Sequence, residues 1–185
     1  MSTINNQTEL GSMLGDSVSL RKVNNRLVVT NRRKRKPSTV TGKLEAAQDK
    51  FLEATEYAKE QVADESTKAL YARGITDNKR SAHQVALADS LNPPKVHYIN
   101  TAKYRGKMGD LIVVKTSDDF MVTQATIVIT DRKGNELERA QATPNKKVFI
   151  WRYLATKDNP SLAGSRIEVT AADRPGNETT LVVTM

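Results

Sequence analysis

Five consecutive positive charges, Arg32, Arg33, Lys34, Arg35 and Lys36, are the residues whose type and spacing most directly imply a chemistry. Like charges at every position repel one another, so the run stays extended until a polyanion or an acidic protein face neutralises it. Contact with phosphate needs only charge and reach. No aromatic residue accompanies the run, so stacking on bases is not expected. The arm is expected to touch either nucleic acid or an acidic surface.

Other candidate groups weigh against catalysis. His83 and His97 are the only histidines, and neither has a second ligand at metal spacing. With no cysteine, disulfides, thiolate chemistry and cysteine zinc sites are excluded. There is no G-x-S-x-G elbow, and Gly42-Lys43 lacks the upstream glycine of a phosphate loop. Asp173 and Asn177, with Asp118 or Asp119 nearby, could contribute to a calcium site, but calcium takes about six oxygen ligands. The simpler reading is that Asp173 caps a turn whose central positions are Pro175 and Gly176. No enzyme activity, metal or cofactor is therefore expected. Phe149, Trp151 and Tyr153 alternate along one strand face, and in a chain with only 5% aromatic residues that face is expected to be core.

The elements that would carry these residues fall into three segments. Residues 1–43 hold nine Lys/Arg against two acids, residues 44–94 six against nine, and residues 95–185 fourteen against ten. The net charge of +8 is thus concentrated in the N-terminal arm. Met1 to Asp16 is polar and aperiodic, a leader expected to lack order when alone and to lack the apolar core of an export signal. Leu20, Val23, Leu27 and Val29 flank Asn24-Asn25, a pair suited to a hairpin turn. Pro37 to Gly42 reads as a linker, with Thr41 as helix N-cap.

Leu44, Ala47, Phe51, Ala54, Ala58 and Val62 recur at three- and four-residue spacing and define a narrow, alanine-rich helical stripe. Leu44, Ala47, Phe51, Ala54 and Ala58 are expected to form an assembly face that brings its partner close. Asp64 is placed to cap a second short helix ending near Gly74. A third helix is expected from about Asn78 to Leu91, stopped by Pro93-Pro94. Three helices with so little apolar volume should pack on another part of the chain or on another subunit.

From Lys95 the apolar period becomes two. Strands are expected at Val96–Ile99, Leu111–Thr116, Val122–Thr130, Glu136–Thr143, Val148–Ala155, Arg166–Ala172 and Thr179–Thr184, separated by Gly, Pro, Asn and Asp turns such as Pro144-Asn145. Ile127, Ile129, Ile167, Val169, Leu181 and Val183 should point inward. No apolar stretch approaches the roughly 20 residues that a membrane-spanning helix needs.

Val169-Thr170-Ala171-Ala172-Asp173-Arg174-Pro175-Gly176-Asn177 resembles the V-T-A-x-D-x-x-G-N segment of bacterial Ig-like domains. Asp118-Asp119-Phe120-Met121-Val122, followed by an alternating strand and Gly134-Asn135, is similar to the same pattern. The resemblance covers residues 95–185 and implies a sandwich of about seven antiparallel strands. Such modules serve as adhesin spacers and on phage capsids and tails.

The sequence therefore predicts an α+β multidomain chain. A basic N-terminal arm with a β-hairpin (1–43) is followed by a short helical segment (44–94) and a C-terminal Ig-like antiparallel β-sandwich (95–185). The expected function is structural: a phage-like particle component, capsid- or tail-associated. It would assemble with itself or other structural proteins, in a virion or the cytoplasm. The alternative is a monomeric nucleic-acid-binding protein acting through the arm.

Overall fold

The computed structural model describes residues 18–23, 26–31, 42–145 and 149–185. The leader, the Asn24-Asn25 turn, the basic run Arg32–Lys36, most of the linker and Thr41 lie outside the described residues. The chain divides into two compact units, the first ending at Glu45 and the second beginning at Ala46.

In the first unit, strands β1 (Val18–Val23) and β2 (Arg26–Asn31) pair antiparallel, with Val23 opposite Arg26 and Val18 opposite Asn31. That register leaves the two-residue connection expected of an Asn-Asn hairpin. Val28 and Val29 on β2 are exposed.

Helix α1 (Gly42–Ala63) runs from the expected start and buries only Ala54 and Ala58. Helix α2 (Glu65–Ala72) begins where Asp64 accepts the Thr67 amide at 2.9 Å, which satisfies one orphan donor of the first turn. Helix α3 (Ala82–Leu91) starts four residues later than the sequence suggests. Thr76 and Lys79 exchange backbone hydrogen bonds in a turn, and Ser81 then caps by accepting the Gln84 amide at 3.2 Å. Gln84 reaches back to accept the Arg80 amide at 2.6 Å, so a paired cap fixes the boundary.

The helices have one shared apolar cluster: Ala58 from α1, Tyr71 from α2, and Val85 and Ala86 from α3. Phe120, from the loop between two strands, completes it, with its ring centroid 4.6 Å from that of Tyr71. The helical layer is thereby seated on the sheets.

Strands β3 (Lys95–Lys103), β4 (Leu111–Ser117), β8 (Ile150–Leu154) and β7 (Thr143–Pro144) form one antiparallel sheet, in the order β3-β4-β8-β7. Strands β10 (Glu178–Thr184), β9 (Arg166–Asp173), β5 (Val122–Thr130) and β6 (Glu136–Gln141) form the other, in the order β10-β9-β5-β6. Ile99, Ile112, Val114, Trp151 and Tyr153 of the first sheet join Ala125, Ile127, Ile129, Ile167 and Val169 of the second in a single core. Alternation is strict along β9, where every second residue is buried, as a half-solvated sheet requires. Leu181 and Val183, on edge strand β10, are only partly buried.

Two local expectations are corrected. Glu136–Thr143 is not one strand: Ala142 still donates to Ala125 of one sheet, but Thr143 and Pro144 pair with Arg152 and Trp151 of the other. The chain changes sheets there, and Pro144 is tolerated because β7 is an edge. Phe149 does not share the core face of Trp151 and Tyr153. It precedes β8 in a left-handed conformation (φ 65°) and is exposed, because the strand geometry that sets the alternation begins only at Ile150. Trp151 and Tyr153 are core as expected, and each satisfies its polar tip. Trp151 Nε1 donates to Thr116 Oγ1 at 3.0 Å and the Tyr153 hydroxyl to Glu138 Oε2 at 2.8 Å.

Gly74 lies in a close-packed part of the helix–sheet seam. A Cβ there would sit 2.7 Å from Val85 Cγ1 and 2.8 Å from Phe120 Cδ2. Val85 is β-branched and fully buried, so it has no free rotamer to escape into. Gly74→Ala is expected to destabilise the protein by about 1–3 kcal/mol through overpacking. The check is the midpoint of urea unfolding, and an unchanged midpoint would contradict a close-packed seam.

Candidate acidic site at the junction of α3 and the sheets

Val85, Ala86 and Asp89 lie on one face of α3, since residues three and four apart share a helix face. All three are buried, which places a carboxylate where the helix packs on the sheets. The end of β4 supplies Asp118 and the end of β9 supplies Asp173. One carboxylate oxygen from each of the three lies within 4.8 Å of the other two.

Each acid is held by its own partners. Asp89 Oδ2 accepts the Tyr71 hydroxyl at 2.7 Å, and the Tyr57 hydroxyl lies 2.7 Å from that of Tyr71. Asp118 Oδ2 accepts the Met121 amide at 2.8 Å and the Phe120 amide at 3.3 Å. Asp173 Oδ1 accepts the Gly176 and Asn177 amides at 2.9 and 2.7 Å. Gly176 has φ 95°, which confirms the turn expected of Pro175-Gly176. Asn177 Nδ2 joins the pieces: it reaches Asp173 Oδ2 at 2.8 Å and the carbonyls of Asp89 and Ser90 at 3.3 and 3.2 Å.

Two oxygens are left over. Asp89 Oδ1 and Asp118 Oδ1 are buried with no hydrogen-bond donor. Among the described residues, no ion pair reaches any of the three carboxylates. Burial pushes the Asp89 carboxyl up to about 7, the charges of Asp118 and Asp173 add to the rise, and the Tyr71 hydrogen bond opposes it. Burial also raises Asp173, against the pull of its Asn177 and Gly176 donors. The Tyr71 hydroxyl is raised by burial and by its bonds to Tyr57 and Asp89, so it acts only as a donor to the cluster.

The structure thus brings Asp173 and Asp118 together, as the sequence allowed, and adds Asp89. Asp119 does not join them: it accepts from Asn92 Nδ2 at 2.9 Å and pairs with Lys79 at 3.3 Å. Neither histidine is in the cluster, and His97 bonds Ser117 Oγ at 2.6 Å. Asp89 had one sequence signal, an acid on the apolar face of a short helix.

The second candidate surface is α1. Ala54 and Ala58 of the expected stripe are buried within the chain, but Leu44, Ala47 and Phe51 are exposed. Leu52, adjacent to the stripe, is 61% exposed and Phe51 53%. The five basic residues of the arm lie outside the described residues. Among the described residues, no helix is long and apolar enough to cross a membrane. Comparison with protein-family models and with curated proteins finds no match to this chain.

Asp89 predicts a pH dependence with a definite sign. Its folded value, about 7, lies above the unfolded value of 3.8, so between the two the native state holds more protons than the unfolded state. Its contribution is full below the unfolded value and is lost as pH rises through about 7. In chelator-treated protein, the stability of wild type minus that of Asp89→Asn should fall from about pH 4 to about pH 8. The subtraction removes the opposite trend of Asp64, Asp110, Asp131, Glu136 and Asp158, whose carboxyls are held low by hydrogen bonds. Denaturant unfolding across this range checks it, and a flat difference would refute the raised value.

Proposed function

We propose that this chain is a non-enzymatic assembly protein that associates with further copies of itself through the exposed half of α1. The observation that carries the reading is the placement of Phe51 and Leu52, more than half exposed, on the helix whose next turns are buried at Ala54 and Ala58. Most exposed apolar residues need no explanation, but a contiguous patch on a helix face does. Ala47, Phe51 and Leu52 make such a patch.

A second copy is the occupant that the charges favour. The patch is flanked by exposed Asp49 and Glu53, while Lys50 between them donates to the Leu91 carbonyl at 3.0 Å and Glu56 is paired with Lys59. The same chain carries nine Lys/Arg against two acids over residues 1–43. An acidic apolar face on one copy complements the basic arm of another, and complementary potentials steer such encounters. A twofold pairing would also set each Phe51 against the same patch of its partner.

Within this reading the sheets are an Ig-like module for display or bridging, and the whole is a component of a phage or phage-like particle. The V-T-A-x-D-x-x-G-N resemblance and the two facing antiparallel sheets support the module. The basic arm beside a single such module supports the particle. Its absence of catalytic motifs in the sequence supports a role without chemistry.

Phe51→Glu with Leu52→Glu is the test. Both side chains are exposed, so the double variant should unfold within about 1 kcal/mol of wild type. Sedimentation should show wild type associating as concentration rises and the variant remaining a monomer. A wild-type monomer at high concentration would overturn the reading. The rival, a nucleic-acid-binding monomer, rests on the five-charge run. It predicts DNA affinity that falls steeply with salt, by a slope of about −0.9 per phosphate contact, and that is lost when Arg32–Lys36 become Ala.

A further inference from the structure

The acidic junction is unexplained by assembly through α1. Three carboxylates from three distant parts of the chain meet where Asp89 is 0% exposed and Asp173 4%. Acids of the solvated surface gather at no cost, but buried ones do not: the charged form of a carboxylate is expensive away from water unless paired. Asp173 is well supplied with donors. Asp89 and Asp118 are not, since each spends Oδ2 on protein donors and leaves Oδ1 buried with none.

We propose that Asp89, Asp118 and Asp173 bind one hard divalent cation of the calcium type, which clamps the end of α3 to the β4–β5 loop and the β9–β10 turn. The ligand atoms are all oxygen, the preference of hard cations rather than of zinc or copper. Oxygens at about 2.4 Å from one calcium ion lie at most about 4.8 Å apart, the separation the three carboxylates keep. The two oxygens without donors become ligands, and a divalent charge offsets two of the three negative charges.

The surroundings hold the three elements in place. A surface cleft lined by Asn92, Lys95, Ser117, Asp118, Asp119 and Thr179 borders the cluster at Asp118. The carbonyls of Asp89 and Ser90 already accept from Asn177, which fixes the helix end against the turn. Calcium tolerates irregular carboxylate sets of this kind better than magnesium, which demands near-ideal octahedral geometry.

The site differs from the turn cap alone by its dependence on Asp89 and Asp118. Full-length protein is stripped with chelator, dialysed, and titrated with calcium chloride at about pH 7.5 by calorimetry and by thermal unfolding. One ion should bind per chain and raise the unfolding temperature, with magnesium binding at least tenfold more weakly. Asp89→Asn and Asp118→Asn should each weaken calcium binding at least tenfold. Asp119→Asn, outside the cluster, should leave it within twofold. Both cluster variants are isosteric, and should one fail to fold the other carries the test. No binding up to about 10 mM calcium, an order of magnitude above the ~1 mM of weak calcium modules, would overturn the proposal. A proton on Asp89 would then hold the junction. Binding that survives Asp89→Asn and Asp118→Asn would overturn it equally. These outcomes are independent of sedimentation, so failure of the ion leaves the assembly reading standing.

Discussion

The helices of this protein do not contain enough apolar volume to make a core of their own, and the arrangement of the second unit follows from that constraint. Four buried residues, two of them alanine, form the centre of the helical cluster. At roughly 25 cal/mol per Å² of buried apolar surface, so small a cluster falls short of the ordering entropy of three helices. Phe120, from the loop between β4 and β5, adds to the cluster from the sheet side. Its ring against Tyr71 makes the helices a layer on the sandwich-like pair of sheets, and the close approach leaves no room for a side chain at Gly74.

Seating the helices this way drags polar groups into the seam. The loop that delivers Phe120 also delivers Asp118, whose Oδ2 accepts the Phe120 amide and so shapes the loop. Tyr71 brings a hydroxyl that must find an acceptor, and Asp89 is that acceptor. The turn that ends β9 brings Asp173, with Asn177 tied to the end of α3. Each acid is accounted for locally as a cap or an acceptor. Only their convergence creates the electrostatic problem: two buried carboxylates, Asp89 and Asp173, and the half-buried Asp118 share one junction, and the cation proposed above would offset their charge.

This is why the sheets were legible in the sequence and the site only partly so. Strand order of burial is written in a two-residue period, and Val122–Thr130 and Arg166–Asp173 could be read within a residue of their observed bounds. Helix α2 was legible through Asp64, because capping is a local interaction across three residues. What resisted were features set by distant partners. The switch of Thr143 and Pro144 to the other sheet depends on Arg152 and Trp151. Asp119 and Asp118 are neighbours in sequence, yet one turns to Lys79 and the other to the buried cluster. No local pattern distinguishes them. Asp89 lies 29 residues from Asp118 and 84 from Asp173, and only the fold brings the three together.

The same reasoning separates the two halves of α1. From Ala54 onward the helix has neighbours that bury its small residues, and alanine is what lets α1 approach Tyr71 and Val85 closely. Before Ala54 the helical period continues unchanged through Phe51 and Ala47, but within this second unit nothing covers them. An isolated helical segment shorter than about 12 residues is marginal in water. Continuity with the buried half supports the exposed half, but it does not explain why Phe51 and Leu52 stand there when Gln or Lys would hold the helix as well. Within the second unit, these two large apolar side chains stay more than half exposed. On the assembly proposed above, a second copy covers them, and the acidic residues beside them complement the basic arm it carries.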